Sequence, residues 1–137
     1  DKMAVRHGGG RNHRMGLYDM IMLKDNHIKA VGSITKAVEM VHSQLPLSVK
    51  VEVETTCLQE VEEALSAGAD IIMLDNMSNE AMLEAVRLIN HRSAVEASGN
   101  MTLERIREVA ALGVDYISVG ALTHSVKALD ISMNFIQ

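Results

Sequence analysis

The chain reads as an incomplete parallel α/β barrel of TIM-like type, and two observations predict it. Five short apolar runs alternate with four amphipathic segments, and every run ends in a polar group. The runs are Met20–Lys24, which precedes Asp25-Asn26-His27, then Val49–Glu54, Ile71–Asp75, Ala94–Ser98 and Tyr116–Gly120. Side chains alternate along a strand, so parity sorts each run into two faces. Ile21/Leu23, Val49/Val51/Val53, Ile72/Leu74, Val95/Ala97 and Ile117/Val119 form an apolar face. The other face carries Lys24, Lys50/Glu52/Glu54, Asp75, Glu96/Ser98 and Ser118/Gly120. In a parallel barrel the C-terminal strand ends form the mouth, where reactive groups sit.

Helices fill the intervals. Ser33 caps one with the stripe Ile34, Ala37, Val38 and Val41, and Pro46 marks its exit. Thr56 precedes a second, built on Leu58, Val61, Ala64 and Leu65 and closed by Gly68. Ser78 opens a third with Met82, Leu83, Val86 and Ile89 inward, and a fourth starts near Thr102, turns Leu103, Ile106, Val109 and Ala110 inward, and stops at Gly113. Right-handed crossovers between successive strands make the sheet parallel. A short internal repeat agrees: Ala67-Gly68-Ala69-Asp70-Ile71-Ile72 matches Leu112-Gly113-Val114-Asp115-Tyr116-Ile117, each closing a helix and opening a strand.

The strand count falls short of closure, since an eight-unit barrel takes about 250 residues and this chain has 137. The expectation is that residues 1–137 form the C-terminal part of a barrel domain, with earlier strands and an N-terminal α/β domain lying outside it. Lys50, Glu52 and Glu96 would then face water or a partner across an open inner face.

Composition narrows the class. With 47% hydrophobic residues and 2% aromatic ones, the core is built from Val, Ile, Leu, Ala and Met. Met15, Met20, Met22, Met40, Met73 and Met82 fall on apolar patterns and are expected to fill core gaps. No apolar run approaches the ~20 residues of a membrane span, and no signal peptide is evident, so a cytoplasmic location is expected. The single cysteine, Cys57, forms no internal disulfide and is read as a packing residue.

Charge is unevenly placed. Residues 1–29 hold six Lys/Arg against three Asp, while the whole chain is at −5. Gly8-Gly9-Gly10 stands directly before Arg11-Asn12-His13-Arg14, pairing a pliable backbone with directed donors for carboxylate or phosphate oxygens. An acidic remainder and scarce aromatics argue against nucleic acid. At the last two mouth positions, Ser98-Gly99-Asn100 and Gly120-Ala121 each precede a helix and read together as a phosphate cradle. Glu52 is expected to pair with Lys50 or Glu96 in the interior. His27 and His124 are ligand-touching or loop-bonding groups, and His7, His42 and His91 lack zinc spacing.

The run Gly8 to Asp19, with Leu23-Lys24-Asp25-Asn26-His27-Ile28, Val51-Glu52-Val53-Glu54, Leu74-Asp75-Asn76, Glu96-Ala97-Ser98-Gly99-Asn100 and Ser118 to Ser125, resembles quinolinate phosphoribosyltransferase, also called nicotinate-nucleotide pyrophosphorylase (carboxylating). Six motifs in order cover essentially the whole chain. The resemblance implies phosphoribosyl transfer from phosphoribosyl pyrophosphate to quinolinate, with loss of CO2 and release of pyrophosphate, in NAD biosynthesis. It implies that His13, Arg14 and Lys24 hold the dicarboxylate and that Glu54 and Asp75 serve the ribose and a Mg2+ ion. It further implies that Ser98, Gly99, Asn100 and Gly120 receive a phosphate, and that the active site forms across a homodimer. Because further basic residues of the family's site precede this region, the isolated chain is expected to be inactive. The competing readings are a non-catalytic barrel piece that binds anions or self-assembles, and a sister pyrophosphorylase linked to molybdenum transport.

Overall fold

The computed structural model describes residues 1–46 and 48–135. Its elements run α1 (Lys2–His7), β1 (Ile21–Leu23), α2 (Asp25–Val31), α3 (Ile34–His42), β2 (Val51–Thr55), α4 (Leu58–Ser66), β3 (Ile71–Asp75), α5 (Asn79–Ile89), β4 (Ala94–Ser98), α6 (Leu103–Ala110), β5 (Tyr116–Ile117) and α7 (Ala121–His124). The five strands form one sheet in sequence order, every pair parallel. That is the arc of a singly wound barrel.

The parity assignment holds. Val51, Val53, Ile72, Leu74, Val95 and Ala97 are buried on the helix-facing side, where they meet Ile34, Ala37 and Val38 of α3, Val61 and Ala64 of α4, and Met82, Ala85 and Ile89 of α5. Burying one such Val, Leu or Ile contributes about 1.5–3 kcal/mol. Three helices start on the expected hydroxyl caps: Ser33 accepts from Lys36 N, Ser78 from Ala81 N and Thr102 from Arg105 N.

The internal repeat has a physical meaning in the fold. Asp70 Oδ2 accepts from Val51 N at 2.8 Å while Asp70 N donates to Val51 O; Asp115 Oδ2 accepts from Val95 N at 2.8 Å while Asp115 N donates to Val95 O. Each aspartate thus clasps the first residues of the preceding strand. Gly68 and Gly113, at φ of 84° and 89°, supply the left-handed turn that lets the chain swing from helix to clasp.

Several expectations need correction. Strand β1 stops at Leu23 and β5 at Ile117, shorter than the apolar runs, because edge strands have a ladder on one side only. Leu103 is 80% exposed and Ala110 is also exposed. In α6 the cap geometry rotates the inward stripe onto Ile106 and Val109, and Leu83 of α5 is only half-buried. Met15 and Met40 are likewise exposed, at 58% and 52%, whereas Met73 and Met82 do fill the core. Helices α1 and α2 were not anticipated. The glycine run terminates α1, with Gly9 at φ 86° and Gly10 N donating to Val5 O. Among the described residues no helix is long and apolar enough to cross a membrane.

Candidate active site

The chain leaving α1 lays His13 across the inner face of the sheet. His13 Nε2 is 3.0 Å from Glu52 Oε2 on β2 and 3.4 Å from Glu96 Oε2 on β4. Both glutamates are buried, Glu52 completely and Glu96 to within 4%. The inner face is therefore covered at these positions, and the expected Lys50–Glu52 pair is absent: Lys50 lies exposed just before β2, and the imidazole takes its place. Ser118, just beyond β5, donates its hydroxyl to Glu96 Oε1 at 2.5 Å. Glu52 Oε1 has no hydrogen-bond partner among the described residues, so the 3.0 Å pair of Oε2 with His13 is what offsets the burial of this carboxylate.

Electrostatics follow from that geometry. Glu52 and then Glu96 hold the His13 proton, lifting its pKa from 6.5 to about 10. Burial pushes the Glu52 carboxyl up against the opposing pull of His13. Burial also pushes on Glu96, but contacts from His13 and Ser118 outweigh it and leave that carboxyl below its ordinary range. The center is a fixed imidazolium between two carboxylates. Among the described residues His13, Glu52 and Glu96 are also the grouping of three that offers metal-ligating atoms close together.

Arg14, the next residue, is pinned by donation to Met20 O at 3.4 Å and by Lys2 on its own carbonyl. A cavity of about 570 Å³ opens beside this segment and brings Arg11, Asn12 and His13 to face Glu96, Ser118 and Gly120.

At the mouth, Lys24 caps α2 directly after β1, and its Nζ stands 3.6 Å from Glu54 Oε2 near the end of β2. His27 Nδ1 accepts from Lys24 N at 3.0 Å, which makes His27 a loop-bonding group that orients Lys24. Asp25 bonds Lys29 one turn on, which with the Asn26 amide lowers its carboxyl below the usual range. Asp75 ends β3, aligned with Ser98 on β4, and accepts from Asn76 Nδ2 at 2.8 Å.

The loops after β3 and β4 interlock. Gly99 has φ 87°, and a Cβ there would lie 2.2 Å from Asn76 Oδ1, so only glycine fits. Asn100 Nδ2 donates to that same oxygen at 2.9 Å, and Asn76 N donates to Ser98 O. Arg105, which the sequence reading passed over, donates from Nη1 to Gly99 O at 3.1 Å and from Nη2 to Met77 O at 2.8 Å. A signal for it exists: a cation in the first turn of a helix opposes the dipole, so it has work elsewhere. Gly120 lies one strand further on, under the His124 ring, whose Nδ1 is 2.6 Å from Ser125 Oγ.

Cations from the first segment, carboxylates at the ends of β2 and β3, and a glycine-bearing loop after β4 are carried on one parallel α/β-barrel domain. The family described as quinolinate phosphoribosyl transferase, C-terminal domain, matches residues 1–134. The chain belongs to that family. It is 52% identical, over 97% of its length, to "Quinolinate phosphoribosyltransferase [decarboxylating] 2b, mitochondrial" of Nicotiana tabacum, covering 43% of that relative. It is 47% identical over its whole length to the "Probable nicotinate-nucleotide pyrophosphorylase [carboxylating]" of Synechocystis sp., covering 48% of it. The solved structure of NadC from Streptococcus pyogenes superposes with a TM-score of 0.91 at 53% identity, over 98% of this chain and 47% of that one. The chain thus spans less than half the length of the relatives it matches.

Proposed function

We propose that the protein transfers a phosphoribosyl group from phosphoribosyl pyrophosphate to the pyridine nitrogen of quinolinate, with decarboxylation to nicotinate mononucleotide. The observation that carries this reading is the order, in a chain of this family, of Lys24, Glu54 and Asp75 at the ends of β1, β2 and β3, with Lys24 3.6 Å from Glu54.

Quinolinate is a planar dicarboxylate and needs fixed cations. Arg14 offers a planar fork and Lys24 a point charge. His13 keeps its proton because Glu52 and Glu96 hold it, so its ring stays doubly protonated and able to donate N–H bonds across the whole neutral range. As pyrophosphate departs, positive charge develops at the anomeric carbon of the ribose. Carboxylates fixed beforehand at the mouth stabilise that charge better than water, which must reorganise. Glu54 and Asp75 are assigned this role. Their oxygen donors also suit a hard cation such as Mg2+, which when bound neutralises the departing phosphates. Ser98, Gly99, Asn100 and Gly120 are assigned to a phosphate of the donor.

A homodimer-based assembly, a cytoplasmic compartment and inactivity of the 137-residue chain by itself belong to the same proposal. The last is supported by relatives of more than twice the length matched here. The test is CO2 release from quinolinate by the intact protein and by its Lys24→Ala and Arg14→Ala variants. Both substitutions should raise the quinolinate KM by about tenfold or more. Wild-type protein without CO2 release, or variants with unchanged quinolinate KM, would overturn the assignment.

A further inference from the structure

Arg105 uses its guanidinium on main-chain oxygens from two different loops. Nη1 reaches Gly99 O at 3.1 Å and Asn100 O at 3.5 Å after β4, and Nη2 reaches Met77 O at 2.8 Å after β3. Its own backbone N–H is fixed by the Thr102 cap at 3.3 Å, and the side chain is half-buried. The planar fork is what makes this bridge feasible, because one rigid group offers several donors at set angles.

In a trans peptide the C=O of one residue and the N–H of the next point in opposite directions. Drawing the Gly99 and Met77 carbonyls toward Arg105 therefore turns the Asn100 and Ser78 amides away from it. Asn76 and Asn100 adopt left-handed φ of 55° and 49°, conformations that residues other than glycine populate sparsely. The bridge and the Asn100–Asn76 bond hold the two loops as a single unit in that state.

We infer that Arg105 is a positioning residue for a phosphate group: it never touches the ligand, but it locks the β3–α5 and β4–α6 loops so that their amides face one anion. This rests on the assignment of Ser98–Asn100 to the phosphate of the ribosyl donor. The site would take a phosphate monoester dianion, for which prealigned N–H groups are the natural receptor.

The experiment compares steady-state constants for both substrates in the intact protein and its Arg105→Met, Arg105→Lys and Ser98→Ala variants. Arg105→Met should raise the donor KM by about tenfold, since small misplacements in a preorganised site are costly, and leave the quinolinate KM unchanged. Arg105→Lys should fall between, because an ammonium reaches one loop and not both. An unchanged donor KM in Arg105→Met, or donor and quinolinate KM rising together, overturns the inference. Should Arg105→Met fail to fold, Arg105→Lys decides alone: a raised donor KM supports the bridge and an unchanged one refutes it. Ser98→Ala separates the two layers. If it raises the donor KM while the Arg105 variants do not, the phosphate assignment stands and the Arg105 role falls; if it has no effect, the phosphate assignment itself fails.

Discussion

The His13 ring rests against Glu52, a carboxylate with no solvent exposure, at 3.0 Å. The two come from distant parts of the chain, and the contact ties the glycine-led segment to the inner face of the sheet.

The pairing makes stability depend on pH in a definite direction. His13 has a pKa of about 10 when folded against 6.5 for the free group. Its contribution is full below about pH 6.5, declines as pH rises and is lost above about pH 10. Urea midpoints of wild type and His13→Gln should therefore differ clearly near pH 6 and converge near pH 10. Equal differences at both would show that the ring contributes only packing.

Glu52 stands in a different position from Glu96. Two buried carboxylates share one imidazolium, and Glu52, without solvent, has the His13 contact to offset its burial. Glu52→Gln removes one side of that pair and should lower stability by roughly 1–3 kcal/mol near neutral pH, as expected when one partner of a buried charge pair is taken away. Thermal melts of the two proteins test this, and an unchanged or higher melting temperature for the variant would contradict it.

Gly99→Ala forces a Cβ to within 2.2 Å of Asn76 Oδ1 at a φ of 87°. The loops must separate, at a cost of at least about 1 kcal/mol. The expected result is a lower urea midpoint with a donor KM raised more than the quinolinate KM. A variant indistinguishable from wild type would mean that the loops do not interlock in solution.

Asp70→Ala and Asp115→Ala each strip a carboxylate from a strand-start amide held at 2.8 Å. Each should destabilise by about 1–2 kcal/mol, and their effects should add, since they share no partner. Strongly unequal losses would show that the repeat is one of sequence and not of energetics.

Much of the fold was legible because period-two alternation and polar strand ends survive in sequence: the faces of Val51/Val53 and Ile72/Leu74, and the mouth positions of Lys24, Glu54 and Asp75, are local facts. The caps at Ser33, Ser78 and Thr102 were legible for the same reason. What escaped was long-range. Nothing near Glu52 reveals that His13 will pair with it, and Lys50, two residues earlier, is a misleading neighbor because it lies before β2 begins and stays exposed. Leu103 misled in another way, since a helix stripe read with a one-residue phase error puts an exposed leucine inward. Arg105 shows its role only once two loops are seen side by side.

The aspartate clasps bear on how the sheet comes apart. One joins β2 to β3 and the other β4 to β5, while each strand is laddered only to its sequence neighbors, with no closure between β1 and β5 among the described residues. Cohesion is then graded along the arc. The amides of Val53, Ile72 and Leu74, flanked on both sides, belong to the last unit to open, while the two-residue β5 frays first, and with it Ser118, the hydroxyl that steadies Glu96.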